Sequence, residues 1–263
     1  MTRQAGRGRV RRSATTWLHS LDIDHRSGMA MLMRTWARAV AASAAAGLAV
    51  IVTVVASRRI GRWGATGEEL NRPLPGDDEV PEPAVSSTRA ISIQAPARAI
   101  WPWLVQMGWR RAGWYSYDLI DNDRIPSAQR IMPEFQALRV GDFVPEGADV
   151  GWMVSALEKD RLLLLVTHAP MKGVDWVERR DSSWLFLLDE VGPEHTRLVE
   201  RSRTALTMNT QTLAGRVLAA RLARMLVLAP GDFVMARRQM LGIKRRAERD
   251  WREGPHRDRK PDL

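Results

Sequence analysis

The chain has 263 residues, of which 45% are apolar, so it is long enough for one large domain or two small ones with a hydrophobic core. It has no cysteine, which excludes a disulfide framework, a thiolate nucleophile and a cysteine-ligated metal. The net charge is +10, and the basic surplus lies near the two ends: residues 1–62 carry +9 and residues 216–252 carry +7, while the middle of the chain is acidic. Few aromatic residues accompany these basic segments, so no nucleic-acid partner is expected.

The first feature along the chain is a run of nineteen uncharged residues from Ala39 to Ser57. A bilayer core about 30 Å thick needs about 20 helical residues, so the run predicts a transmembrane helix over residues 36–58 with the membrane at residues 39–57. A cleaved signal peptide and a buried soluble helix are the alternatives. The first lacks a good cleavage site, and the second would show a polar stripe. Residues 1–35 are expected to form a disordered basic tail.

The flanking charges bear on topology. Eight Arg precede the run and three follow closely, which favours the N-terminus inside and an extracytoplasmic domain. Translation from Met29, Met31 or Met33 would remove most of that bias, so the topology stays open.

Residues 59–87 contain four prolines and a cluster of acids, which predicts an extended linker or a loosely packed lead-in to the domain. A domain is predicted over residues 88–250, followed by a disordered tail over residues 251–263. Its first strand is expected at Thr88–Gln94, and Pro102 is expected to divide the next segment into two short helices. Strands are predicted at residues 142–145, 151–158, 161–167, 183–189 and 196–204, the last two joined by a hairpin.

The C-terminal third has a helical pattern. One helix is predicted over Thr210–Leu228, either packed on the core or lying on a bilayer. Apolar residues then recur every three or four positions from Phe233 to Ala247, which predicts a long amphipathic helix over Gly231–Arg249.

Three segments carry a family resemblance: RAISIQAPARAIWPWLVQMG, RAGWYSYD and PGDFVMARRQMLGIKRRAE. They resemble a group of bacterial SRPBCC proteins, a superfamily that includes START domains and polyketide cyclases. The resemblance implies an α+β helix-grip fold, in which a curved antiparallel sheet surrounds a long C-terminal helix. It also implies an apolar cavity for a lipid or a similar hydrophobic molecule, and no fixed catalytic set.

Motifs for chemistry are sparse. The five His are not spaced to share a metal, and there is no nucleophile elbow, phosphate loop or dinucleotide fingerprint. Asp118, Asp121 and Asp123 lie in one polar stretch, yet they lack the glycine and distal glutamate of a calcium loop, so solvated carboxylates are expected. No metal, cofactor or catalytic residue is therefore assigned.

Seven residues are predicted to contact a ligand: Trp114, Tyr115, Tyr117, Trp152, His168, Trp184 and Phe186. In a strand, Tyr115 and Tyr117 would share one side with Trp114 opposite, and the phenols would either enter the cavity or pack beneath the short helices. His168 is expected at the end of a strand, where it would be either a general base in the cavity or a residue at its rim. Trp184 and Phe186 share one face of a strand that is apolar on both faces.

Two functions remain open from the sequence. The first is a membrane-tethered module that binds a hydrophobic small molecule or lipid. The second is a cyclase or dehydratase acting on an apolar substrate, with Tyr115, Tyr117 or His168 as general acid or base.

Overall fold

The computed structural model describes residues 59–170, 177–208 and 229–254, and six single positions between Met33 and Gly47. Those six positions belong to a first compact unit, Met1–Thr53, and are helical. The second compact unit, Val54–Leu263, holds the elements described below. In the described part of the chain, no helix is both long and apolar enough to cross a membrane. Apart from those single positions, the span predicted for residues 39–57 lies outside the described residues, and so does the helix predicted for Thr210–Leu228.

The second unit is built on one antiparallel sheet. In chain order its elements are α1 (Gly67–Asn71), β1 (Val85–Ile93), α2 (Ala97–Val105), α3 (Asp118–Asp121), a 3-10 turn (Pro133–Phe135), β2 (Phe143–Pro145), β3 (Gly151–Glu158), β4 (Leu162–Pro170), β5 (Val177–Gly192), β6 (His195–Met208) and α4 (Ala229–Glu253). The strand order is β1-β6-β5-β4-β3-β2. Strands β2 to β6 thus form a meander, and β1 pairs with β6 to complete the other edge. This sheet, followed by the long helix α4, is the arrangement expected of a helix-grip fold.

Alternation along the strands divides the sheet into two apolar faces. The helix-facing side packs against α2 and α4 and includes Ile91, Leu163, Leu165, Phe186, Leu188 and Leu198. The opposite side carries a separate core that includes Ala90, Leu162, Leu164, Leu185, Leu187 and Val199. Both faces of the central strands are therefore buried, as the apolar residues on both faces of β5 predicted. Bulges in β3 and in β5 add local bending.

The predicted linker at residues 59–87 is instead part of the folded unit. It contains α1, which begins with a capping box between Thr66 and Glu69, and Leu74 packs on the outer core. Arg201 of β6 holds the segment down by donating to the main-chain oxygens of Glu69 and Arg72. The linker prediction was wrong because it weighed proline and acid content, whereas a buried arginine on the sheet supplies the partners for this backbone.

The prediction of two short helices around Pro102 was also wrong, because α2 runs through that residue. A proline inside a helix removes one hydrogen bond and costs about 3 kcal/mol. Burial of Ile100, Trp103 and Leu104 on the core offsets that cost.

The amphipathic helix is confirmed as α4, which places Met240, Ile243 and Ala247 on the core. It extends to Glu253, and Trp251 packs against the core, so the folded unit continues three residues past the boundary predicted at residue 250. At its other end α4 meets the first segment of the unit, where Phe233 contacts the ring of Trp63 edge to face.

Candidate functional site

Four predicted ligand residues meet on the helix-facing side of the sheet. Trp184 lies at their centre: its ring centroid is 5.3 Å from that of Trp114, 5.3 Å from that of Trp152 and 4.9 Å from that of Phe186. Trp114 is nearly parallel to it, at 27°. We refer to these four residues as the aromatic cluster.

Two strands and one loop build this cluster. Trp184 and Phe186 are two positions apart in β5, so they project from the same face, and Trp152 of β3 belongs to the same core. Trp114 reaches the cluster from the loop that follows α2. Phe186 is fully buried, whereas Trp184 is only half buried.

A buried charged pair adjoins the aromatic cluster. Glu200 of β6 lies opposite Phe186 on one side and Arg89 of β1 on the other, and both charged side chains are 2% exposed. The indole nitrogen of Trp184 donates to Oε1 of Glu200 at 2.9 Å. Arg89 also pairs with Asp232 in the first turn of α4, whose side chain is 58% exposed. Sheet, helix and aromatic cluster are thus joined through these charges.

The charges in this pair are unevenly compensated. Burial raises the pKa of Glu200 and the Asp232 charge adds to that rise, whereas the Arg89 charge and the Trp184 hydrogen bond offset only part of it. Burial alone would lower the pKa of Arg89. The Glu200 and Asp232 carboxylates together raise it by more than that, so the net pKa is higher than usual and the guanidinium remains a cation. The site therefore contains one firm positive charge and one carboxyl group that is costly to ionise.

Several polar atoms of the site have no hydrogen-bond partner among the described residues. They are Nε and Nη1 of Arg89, Oε2 of Glu200 and the indole nitrogen of Trp152. Buried groups of this kind are nearly always satisfied, so each one requires an explanation. Two more polar residues of β6, Ser202 and Thr204, follow Glu200 on the same face and are half buried, as Trp184 is. The polar end of this surface is thus only half buried.

Tyr115 lies apart from the aromatic cluster. Its backbone has a φ of 59°, in the left-handed region, which breaks the strand alternation predicted for Trp114 to Tyr117. The phenol donates to the main-chain oxygen of Trp103 at 3.0 Å and accepts from Gln106 at 2.9 Å. This is the packing beneath the helices that the sequence left as one of two possibilities.

Burial also changes the acidity of this phenol. It raises the pKa of Tyr115 well above the ordinary value, and the Gln106 hydrogen bond and the nearby Arg246 charge offset little of that rise. Tyr117 is half buried under the guanidinium of Arg238, whose central carbon lies 4.5 Å from its ring centroid.

His168 lies on the other side of the sheet. Leu162, Leu164 and Val166 of β4 belong to the outer core, and His168 follows in that alternation. Its Nδ1 is 2.8 Å from a carboxylate oxygen of Asp181, and its side chain is 39% exposed. His168 is therefore a rim residue, separated from the aromatic cluster by the sheet.

The three aspartates of the polar stretch have different surroundings. Asp118 accepts from the Ser127 hydroxyl, and Asp123 pairs with Arg110 at 3.0 Å. Asp121 is half buried, and burial together with the Asp118 charge raises its pKa. Asp121 and Asp123 border a surface cleft of about 410 Å³, lined also by Trp109, Arg110, Ile120, Glu146, Gly147 and Ala148. Within the described residues, no group of acidic or histidine side chains has the arrangement of a metal site.

Arg89 and Glu200 were not among the sequence candidates. A signal for Arg89 existed, because it precedes Ile91 by two residues in a strand and must share its core-facing side. Glu200 was harder to detect, since β6 carries charges on both faces and its alternation alone does not say which face is buried.

Comparisons with known proteins add the following. The chain matches no protein-family model and no curated protein. Several solved structures align with it, including a protein from Mesorhizobium loti (14% identity, TM-score 0.37), covering 63% of this chain and 98% of that one. An aromatase/cyclase from Streptomyces sp. R1128 aligns at 14% identity and a TM-score of 0.31, over 63% and 94% of the two chains. A START superfamily protein from Mycobacterium smegmatis aligns at 10% identity and a TM-score of 0.29, over 59% and 98%. Likenesses at this level carry no information on activity.

Proposed function

We propose that the second unit binds a small, mostly apolar molecule on the helix-facing side of the sheet, against the aromatic cluster. The observation that carries the proposal is the juxtaposition of a half-buried tryptophan, Trp184, with a buried and incompletely paired Arg89–Glu200 group. Ligand sites in proteins combine apolar and aromatic walls with a few convergent polar groups in this way.

The contrast between the two sheet faces supports this location. The outer core is aliphatic and buried, and Leu74 and Ala65 from the segment around α1 pack on it. The helix-facing side instead has large rings at its centre and polar residues at one end. A face that served packing alone would gain nothing from a carboxylate set among tryptophans.

The positions of the predicted acid–base residues favour binding over catalysis by those residues. The Tyr115 hydroxyl donates a hydrogen bond to a main-chain oxygen, Tyr117 lies under Arg238, and His168 is on the opposite face of the sheet. General acid–base catalysis needs such groups within hydrogen-bond reach of one substrate. These three do not converge on one point.

Titration calorimetry of the full chain with methyl 2-naphthoate, a flat and uncharged probe, tests the proposal. We expect saturable binding with one site per chain. Trp184→Ala removes the ring at the centre of the cluster and should weaken binding at least tenfold. Trp109→Ala provides the matched control, because Trp109 is a half-buried surface tryptophan at the separate cleft.

Two results would count against the proposal. One is the absence of saturable binding by the wild-type chain. The other is equal weakening in Trp184→Ala and Trp109→Ala, since that would reflect a general loss of stability. Thermal unfolding of each variant separates loss of fold from loss of the site.

We propose further that residues 39–57 tether this unit to a membrane. The support is the uncharged run with arginines on both sides, long enough for one helical span. In fractionated cells the full chain should remain in the membrane pellet after an alkaline carbonate wash. A variant with Leu48→Arg and Val52→Arg should appear in the supernatant, because arginine at the centre of a span costs about 2.5–3.5 kcal/mol per residue. A wild-type chain released by the wash would refute the tether.

A further inference from the structure

The pair Arg89 and Glu200 adjoins Trp184, the ring at the centre of the proposed site. The two residues are direct partners across β1 and β6, on the same face as the aromatic cluster. Glu200 accepts the hydrogen bond of the half-buried Trp184. Glu200 is therefore one hydrogen bond away from the ring against which we place the ligand.

Arg89 and Glu200 do not form a hydrogen bond with each other. The separation of 3.6 Å between Arg89 Nη1 and Glu200 Oε1 is longer than a hydrogen bond. Nε and Nη1 of Arg89 remain as donors, and Oε2 of Glu200 remains as an acceptor, with no partner in the described part of the chain. Leaving such atoms buried destabilises a fold, which makes them strong recognition elements when a ligand supplies partners.

The chemistry of these atoms determines what they can recognise. The arginine donors need an acceptor on the ligand, and the carboxylate oxygen needs a donor. A carboxylate on the ligand would lie beside the acidic side chains of Glu200 and Asp232. An ammonium on the ligand would lie beside the positive charge of Arg89 and could not accept a hydrogen bond from it. An uncharged group with both functions supplies a partner to each residue and adds no further charge beside them.

We propose that the polar end of the bound molecule is an uncharged group carrying a hydrogen-bond acceptor and a donor on neighbouring atoms, such as a primary amide or a hydroxy-ketone. The acceptor lies at the guanidinium of Arg89, and the donor lies at Oε2 of Glu200. This inference rests on the proposed function, because it names the ligand class for the same site.

Four probes with one ring system test it on the full chain by calorimetry: 2-naphthamide, methyl 2-naphthoate, 2-naphthoate and 2-naphthylmethylamine. All share the apolar part and differ in the polar end. A hydrogen bond to a buried charged group should favour the amide over each of the other three by at least tenfold. Glu200→Gln keeps the shape of the side chain and removes its charge and one acceptor oxygen, so the preference for the amide over the ester should fall below threefold.

Glu158→Gln is the matched control, since Glu158 is 53% exposed at the far end of β3. It should leave the preference unchanged. Equal affinity for all four probes, or tightest binding of the carboxylate or the amine, would overturn the inference and leave the proposed function standing. Binding of none of the four would remove the proposed function and the inference together. The wild-type probe series decides the matter even if Glu200→Gln does not fold.

Discussion

The contact between α4 and the loop at Tyr115 leads to a sharp prediction at Gly242. A Cβ added there would lie 2.4 Å from the main-chain oxygen of Tyr115 and 2.8 Å from its Cβ. Both atoms belong to a loop that is hydrogen-bonded to α4, since Ser116 donates to the main-chain oxygen of Met235 and Arg238 donates to that of Ser116. The loop therefore cannot move aside without breaking these bonds.

The magnitude follows from two opposing effects. Alanine is favoured over glycine inside a helix by about 1 kcal/mol. Overpacking against fixed backbone costs about 3 kcal/mol, at the upper end of the usual range. Gly242→Ala should therefore destabilise the second unit by about 2 kcal/mol, which lowers its Tm by about 4–8 °C.

Urea and thermal unfolding of the full chain, followed by tryptophan fluorescence, measure this effect. Gly231→Ala is the matched control, because Gly231 is in the first turn of the same helix with nothing within 4 Å of the added Cβ. That variant should be unchanged or slightly more stable. If Gly242→Ala is as stable as Gly231→Ala, α4 does not pack on the Tyr115 loop as described.

Two further predictions concern the buried polar groups. Arg201→Met should lower the free energy of unfolding in urea by about 3 kcal/mol, because it leaves the Asp77 carboxylate and the main-chain oxygens of the α1 segment without their main donor. The control Arg161→Met, at an exposed ion pair, should change it by less than about 0.5 kcal/mol. Equal effects would refute the role given to Arg201. Tyr115→Phe should cost about 2 kcal/mol at pH 7. Because burial raises the pKa of Tyr115, the unfolded chain loses this proton near pH 10 while the folded chain keeps it, so wild-type stability should fall more steeply than that of Tyr115→Phe above about pH 10. Parallel pH curves for the two proteins would contradict that assignment.

The parts of this fold that follow from periodicity were predictable. Strand β3 has the predicted bounds, and the apolar residues on both faces of β5 correctly indicated a strand covered on two sides. The recurrence of Met240, Ile243 and Ala247 located α4. In each case one local pattern, with a period of two or of three to four residues, determines which side is buried.

The errors occurred where long-range contacts decide. Residues 59–87 have a linker composition, but arginines of β6 more than a hundred residues away, among them Arg201 and Arg197, hold them against the sheet. Tyr115 was assigned to a strand because the alternation WYSY is typical of one, but its left-handed backbone is set by the loop packed on α4. The position of His168 could have been read from the alternation of β4, had the buried face of that strand been known.

The two buried arginines of the sheet provide the strongest argument for a ligand. Arg201 and Arg89 project from opposite faces near the same level of the sheet, since Arg201 pairs with Thr88 and Arg89 pairs with Glu200. Arg201 is 5% exposed and donates to Thr88, to Asp77 and to three main-chain oxygens. Arg89 is 2% exposed and retains two donor nitrogens without partners among the described residues. The guanidinium of Arg201 on the outer face is therefore satisfied, whereas that of Arg89 on the helix-facing side is not. That side is also where the aromatic cluster lies, and a ligand with its own acceptor accounts for both features at once.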